Sequence, residues 1–275
     1  MEMWSTSRLP YQPNGGLLSM REDLRVALAT LEPVQDHVLY GCYTSAVRTS
    51  RPDAENILFY NVREEGFPQL CSRGVKFETV FHAPPPAYGN LATQALHHHL
   101  YQMQPPGQGF RYWNATNIVH TWCDVTMTPL DSARSPAPVW HAMRRALNGI
   151  ACDPISTPSF GMRVTLSAPR AFNVARHVKA LFDGLISAFH RHNGSDIHEI
   201  SQRVSSRLGV SATQVSEMLM STDGVALGPK CLLKRFRDGV QWHPADDKCV
   251  AAELLITEDP NGWQLSGELF EVEEG

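Results

Sequence analysis

The chain has 275 residues, of which 43% are hydrophobic and 19% are charged, and its formal net charge is -4. This composition predicts a globular protein with a sizeable core. The negative balance excludes a global basic field for nucleic-acid binding. No apolar run reaches the ~20 residues of a membrane-spanning helix, and the N-terminus lacks a signal-peptide pattern. We therefore expect a cytoplasmic protein without membrane contact.

The cysteines carry no metal-binding pattern. The chain has 6 of them, scattered and without a C-x-x-C pair. In the absence of an export signal, reduced thiols fit this usage better than disulfides. We expect no structural zinc site.

The first part of the chain predicts a flexible arm followed by an α+β unit. Residues 1–19 are polar and rich in Pro and Gly, which is typical of an arm, and the unit is expected over 20–152. Its helices are predicted over 20–31 and 138–149, and its strands over 37–43, 55–62, 75–81 and 117–127. Three consecutive histidines at 97–99 fall in a helix-like stretch, where they point to different sides, so a solvated helix face is the better interpretation.

The second unit is expected over 153–275, and its best-defined element is a helix. A strand is predicted over 161–168, and an apolar stripe then recurs at helical spacing through 173–190, with Asn173 as the N-cap. Lys179 and Asp183 lie one turn apart beside the stripe. Taken alone they predict a surface ion pair. A charged site would need a third group from elsewhere in the chain.

A helical insertion is predicted over 195–221, and a basic run follows it. The two helices, capped by Ser195 and Ser211, have the outline of a helix-turn-helix. The second helix has no Arg or Lys with which to read bases, so a structural role is favoured. The nearby run is better placed to contact phosphate, although a solvated strand edge is the alternative; it comprises Lys230, Lys234, Arg235 and Arg237.

Asp246 and Asp247 follow a proline and directly precede an apolar strand. Adjacent acids in a turn usually face water. A carboxylate at the start of a strand, close to a lysine on a helix, is also how a site for a hard divalent cation is assembled. Both interpretations stay open on the sequence.

The order strand, loop, helix and acidic turn over 160–258 resembles the RusA-like family of Holliday junction resolvases. The run Lys179-Ala180-Leu181-Phe182-Asp183 is similar to the family's helix motif, and Asp246-Asp247 is similar to its acidic turn. The resemblance implies a dimeric, Mg²⁺-dependent nuclease acting on branched DNA, with Lys179 and Asp247 as the site residues that remain.

The C-terminal unit departs from the family at the loop before the helix. Asn173, Ala175 and Arg176 stand where the family has two acids and an Asn. In the first unit, Asp53, Glu55 and Asn56 supply that pattern after a strand and a polar loop. One hypothesis is therefore a fused pair of degenerate copies with approximate two-fold symmetry, and the alternative is a polar turn before a strand.

Two functions follow from this sequence. We favour a degenerate, non-catalytic DNA-binding or assembly subunit that works with other proteins, because we expect the acids in two separate, incomplete pockets. The alternative is a Mg²⁺-dependent, structure-specific endodeoxyribonuclease. Its metal ligands would be Asp53, Glu55, Asp246 and Asp247, with Lys179 stabilising charge on the phosphate. The fold expected for both is α+β, with mixed sheets and flanking helices.

Overall fold

The fold is α+β, as predicted, with helices packed on a large mixed sheet. The computed structural model describes residues 1–47, 53–63, 67, 69–87, 95–130, 135–169, 173–260 and 262–275. Within these ranges the α-helices are α1 (Gly15–Ala29), α2 (Ala137–Ala146), α3 (Val174–Ala188), α4 (Ile197–Leu208) and α5 (Ala212–Met220). A π-helical turn spans Asn56–Tyr60, and a 3-10 turn spans Asp246–Lys248.

The strands form one eight-stranded sheet and two small ribbons. In chain order they are β1 (Glu2–Ser5), β2 (Val38–Ser45), β3 (Gly74–Val80), β4 (His97–Gln104), β5 (Trp113–Thr126), β6 (Phe160–Ala168), β7 (Arg191–His192), β8 (Pro229–Lys230), β9 (Leu233–Phe236), β10 (Gly239–Trp242), β11 (Cys249–Glu258) and β12 (Gln264–Glu274). The large sheet has the order β1-β4-β2-β3-β11-β6-β12-β5.

The two halves of this sheet have the same topology. In the first half, β2 is parallel to β3 and antiparallel to β4, which pairs with β1. In the second half, β6 is parallel to β11 and antiparallel to β12, which pairs with β5. The halves meet where β3 and β11 pair antiparallel. A two-fold relation between the halves requires that antiparallel junction, so the topology favours the fused-copy hypothesis, which stays a prediction.

The change from one half to the other lies between β4 and β5. We predicted a boundary near residue 150, but β5 pairs with β12, and α2 packs on α3. Both therefore belong with the second half. Residues 105–112 show no boundary signal in the sequence, because that connection is short and because one continuous sheet and core join the two halves.

Helices α1 and α2 share one core with the large sheet, and so does α3, which is buried along nearly its whole length. It packs on α2, where a Cβ on Gly184 would lie 2.6 Å from the Val139 Cβ, so only glycine permits this approach. Phe182 on α3 meets Phe77 on β3 with ring centroids 5.1 Å apart. Because both rings are buried, this contact ties the two halves into one core.

The connection between the halves crosses the other face of the sheet. There the Lys76 ammonium donates to the carbonyls of Gln108 and Gly109, at 2.9 and 2.6 Å. Glu78 accepts from the backbone N–H groups of Arg111 and Tyr112, at 2.7 and 2.9 Å. These buried charges stabilise the connection because each is satisfied by several hydrogen bonds.

Several predicted elements need correction. The arm predicted at 1–19 is folded in part, since β1 pairs with β4 and α1 begins at Gly15. The strand predicted at 55–62 is the π-helical turn, whose apolar side chains pack inward as they would in a strand. The three histidines lie in β4 and are buried, because alternate strand positions here face protein on both sides.

The helical insertion, which follows α3 and precedes β11 in the chain, forms α4 and α5, and these two helices pack on each other. Ser211 caps α5 as predicted, with its side chain accepting from the Gln214 N–H at 3.1 Å. The cap position of α4 is Asp196 in a left-handed conformation rather than Ser195. Among the described residues no helix has the length and apolar character needed to cross a membrane.

Candidate functional site

The charged residues that the sequence singles out meet at one end of the central strands of the large sheet. Asp53 follows β2, and Asp246 immediately precedes β11. The end of β2 and the start of β11 lie at the same end of the sheet because β2 is parallel to β3, and β3 is antiparallel to β11. Helix α3 runs back over the same face after β6 and presents Lys179 and Asp183 from its middle.

Lys179 is at the centre of the site. Its ammonium lies 2.8 Å from Asp53 Oδ2, 3.0 Å from Asp183 Oδ1 and 3.3 Å from Asp246 Oδ2. The Glu55 carboxylate is 3.8 Å away. One cation therefore faces four carboxylates, of which two come from each half of the sheet.

Three of these carboxylates form a group that fits a metal ion. One oxygen from each of Asp53, Glu55 and Asp246 lies within 4.8 Å of the others. The Glu55 side chain is 1% exposed, and neither of its oxygens accepts a hydrogen bond from the part of the chain that the structure describes. Asp246 is 21% exposed, so the cluster reaches solvent on its side.

The site is electrostatically unbalanced. Burial, followed by the charge of Asp53, raises the pKa of Glu55 well above its usual range. Burial and Asp53 also raise the pKa of Asp246 to about 8, and burial raises that of Asp183 to about 6. Each shift has the sign expected when too many acids share a low-dielectric site.

Two groups in the site are held in their charged forms. Partial burial opposes ionisation of Asp53, but hydrogen bonding with Glu55 and the charge of Lys179 lower its pKa to about 2. Asn56 fixes the Asp53 carboxylate, because its backbone N–H and its side-chain amide both donate to it. Burial alone would lower the pKa of Lys179, but the carboxylates outweigh burial, and that pKa lies well above its usual value.

The acidic turn contributes Asp246 to the cluster, whereas we predicted Asp247 as the catalytic carboxylate. The ion-pair partners of Lys179 among the described residues are the four carboxylates named above, and Asp247 is not one of them. The Asp247 N–H donates to Asp246 Oδ1 at 3.1 Å. The 3-10 turn places successive side chains in different directions, so only the first of the two acids faces α3.

Two other expectations about the site are wrong. We expected Asp53 and Glu55 in one pocket and the turn acids in another, but Asp53, Glu55 and Asp246 converge. We interpreted Lys179 and Asp183 as a surface pair, but Asp183 is 7% exposed and belongs to the same network. The sequence signal for Asp183 was its position beside the apolar stripe, where a helix passes from core to surface.

The predicted phosphate-contacting residues differ in what surrounds them. Lys230 lies near the acidic turn, close enough to Asp246 and Asp247 to feel both charges. Lys234 is exposed on β9. Arg235 is paired with Glu199 at 2.9 Å and with Asp196 at 3.3 Å. Arg237 lies 5.3 Å from the Phe236 ring centroid.

The chain was compared with protein-family models, with curated proteins and with solved structures, and none of the three comparisons gave a match. The arrangement itself supports two kinds of chemistry. Clustered carboxylate oxygens are the ligands that hard divalent cations prefer. A lysine beside such a cluster can stabilise negative charge on a bound phosphate.

Proposed function

We propose that the chain binds a divalent cation of the Mg²⁺ class at Asp53, Glu55 and Asp246. We further propose that it hydrolyses phosphodiester bonds in structured DNA. The observation that carries this proposal is the convergence of three acids around Glu55, a buried carboxyl group that accepts no hydrogen bond from the described residues. The Lys179 ammonium lies 3.8 Å from it, beyond hydrogen-bond distance, so ionisation of this buried group is costly. A divalent cation would offset that cost and would allow all three acids to ionise together.

The three acids supply ligands of the right chemistry. Mg²⁺ is usually held by one or two carboxylates together with water and substrate phosphates. When bound, such an ion supplies Lewis-acid polarisation of a phosphoryl oxygen and lowers the pKa of a coordinated water. Glu55 and Asp53 come from a turn that Asn56 fixes, and Asp246 comes from the start of a buried strand. The ligands are therefore held by rigid elements.

The neighbouring lysines supply positive charge for a phosphate. The Lys179 side chain is 26% exposed, and three carboxylates orient its ammonium. Lys230 lies on the side of the acidic turn. Positive groups on both sides of the acids would offset the repulsion between a polyanionic substrate and the cluster. The resemblance of the Lys179 helix and the acidic turn to RusA-like nucleases supports DNA as the substrate.

One observation favours a second candidate, a non-catalytic DNA-binding or assembly subunit. The Lys179 ammonium already lies within 4.0 Å of all four carboxylates. A permanent cation in the centre of the cluster would take the place of a metal ion. The chain would then keep the architecture of a nuclease and act through binding alone, together with other protein subunits.

A cleavage assay on four-way and flap DNA with Mg²⁺ or Mn²⁺ separates the two candidates. If the chain is a nuclease, the wild-type protein cuts, and Asp246→Asn lowers the rate by at least about 100-fold, in the range that loss of key electrostatic stabilisation produces. The matched control is Asp247→Asn, one residue away in the same turn, which should keep most of the activity.

Calorimetric titration with Mn²⁺ tests the metal site without relying on activity. Wild-type protein should bind the ion, and Glu55→Gln should abolish binding while circular dichroism shows an intact fold. Absence of both ion binding and cleavage in the wild-type protein would overturn the proposal in favour of the non-catalytic candidate.

A further inference from the structure

A pocket lies at the same end of the strands as the acid cluster, around the start of β4. Its volume is about 220 Å³, and its walls come from the segment after β1, the end of β2 and the start of β4. The register places Ser45 of β2 and Ser5 of β1 on either side of His97. Three chain segments therefore form this pocket, and none of them contributes a ligand to the acid cluster.

His97 is held in a fixed orientation by two hydroxyl groups. Its Nδ1 lies 2.6 Å from the Tyr43 hydroxyl and 3.1 Å from Ser45 Oγ. Ser45 is itself fixed, since its Oγ accepts from the Val47 N–H at 3.1 Å. Burial lowers the pKa of His97, which favours the neutral imidazole, and a phenol donates readily to a neutral imidazole nitrogen. Nδ1 is then the acceptor, which leaves Nε2 as an N–H donor.

The charge of the pocket is positive. Arg8 lies in its wall, close enough to Tyr43 and His97 to influence the pKa of both. None of the described residues that line the pocket is an acid. Thr6 and Ser7 add further hydroxyl groups beside Arg8. A guanidinium that pairs with no acid among the described residues, placed among hydroxyl and imidazole donors, is the chemistry that recognises an anion with several oxygens.

We propose that this pocket binds a phosphate group, with Arg8 and His97 Nε2 as donors and with Ser45 and Thr6 as further partners. A volume of about 220 Å³ admits a phosphate and part of the group that carries it. The proposal does not depend on the metal site, because no residue is shared between the two. Inorganic phosphate and the terminal phosphate of a DNA strand present the same chemistry, and the experiment distinguishes them.

Titration with inorganic phosphate, followed by calorimetry or by NMR, is the first test. Wild-type protein should show saturable binding, and Arg8→Gln should weaken it at least about tenfold, because a charge-assisted hydrogen bond to the ligand is lost. Arg73→Gln is the matched control, since Arg73 is exposed beside Asp36 at the opposite end of the strands. His97→Gln should also weaken binding, and Asp246→Asn should leave it unchanged.

The second arm compares one oligonucleotide with and without a 5′-phosphate. Tighter binding of the phosphorylated strand, lost in Arg8→Gln, assigns the pocket to a strand terminus. Equal binding of both strands, alongside saturable inorganic phosphate, assigns it to free phosphate. Absence of saturable binding at millimolar inorganic phosphate, or equal affinity in Arg8→Gln, would overturn the proposal. If His97→Gln fails to fold, Arg8→Gln decides alone, because Arg8 is exposed.

Discussion

The two halves of the sheet share a topology but differ in what they give to the site. The first half supplies Asp53 and Glu55 from the residues that lead into a short π-helical turn, and the second supplies Lys179 and Asp183 from a helix of 15 residues. The alignment of the Asp53–Asn56 segment with the Asn173–Arg176 segment places Ala175 opposite Glu55 and, four residues further along, Lys179 opposite Phe59. Each half therefore has an apolar residue where the other has a charged one.

These apolar replacements belong to the core. Phe59 is 1% exposed and packs edge-on against Phe67 and Phe77, with ring centroids 5.6 and 6.1 Å apart. Ala175 is 8% exposed near the start of α3. One cluster can therefore be divided between two halves that share a sheet, because the β3–β11 pairing fixes the position of one half relative to the other.

The largest loss of stability is expected when the cation between the two halves, the Lys179 ammonium, is removed. In chelator at neutral pH, Lys179→Met should cost about 3–5 kcal/mol of unfolding free energy, since it leaves buried carboxylates uncompensated. Mg²⁺ should restore part of that loss. Urea unfolding measures both effects, with exposed Lys248→Met in the adjacent turn as the control.

Coupling between the halves is measured in the same series. Asp53→Asn in the Lys179→Met background should cost less than the sum of the two single changes. If Lys179→Met is as stable as the wild-type protein and insensitive to Mg²⁺, the Lys179 ammonium does not stabilise the carboxylates that the two halves contribute.

A smaller effect is expected from pH. The raised pKa values of Glu55, Asp183 and Asp246 mean that the folded protein binds protons that the unfolded chain releases above about pH 4. Without metal, stability from these groups should be present at pH 4 and lost as pH rises to about 8, the pKa of Asp246. Asp53 acts oppositely, and its contribution is lost as pH falls from about 4 towards its pKa of about 2.

Denaturation midpoints in chelator across pH 4 to 8 check the sign. Asp246→Asn should flatten the decline because it removes one of the groups that titrate. Asp247→Asn should leave the decline as it is in the wild-type protein. A stability that rises through this range, or an unchanged slope in Asp246→Asn, would contradict the charge imbalance described for the site.

The smallest effect concerns the insertion, which only the second half carries between its helix and β11. If its β9–β10 hairpin contacts DNA, Lys234→Gln should lower the slope of log affinity against log salt by about 0.9, the value for one phosphate contact. Arg235→Gln should change it less, because Glu199 and Asp196 already engage that guanidinium. Fluorescence anisotropy over a salt series measures both slopes, and equal slopes in all three proteins would exclude this hairpin from the interface.

Local pattern was sufficient for the elements whose side chains repeat at one period. The apolar stripe and the Asn173 cap predicted α3, and Asn173 does accept from the Arg176 N–H at 3.2 Å. Alternation predicted β3, and the acidic turn lies where its proline and the following apolar run place it. The pattern failed at 55–62 and 97–99, where side chains buried on all sides leave no polar face to set a period.

The α+β class, the charged residues of interest and the elements that carry Lys179, Asp183 and Asp246 could therefore be predicted from the sequence, whereas the π-helical turn after Glu55 could not. Only the tertiary structure decided that Asp53, Glu55, Lys179 and Asp246 form one site rather than two, and that Asp246 rather than Asp247 faces the lysine. Helical and strand periods are set by neighbours along the chain. The meeting of residues 53, 179 and 246 depends on strand order and on the antiparallel β3–β11 pairing, which no local pattern encodes.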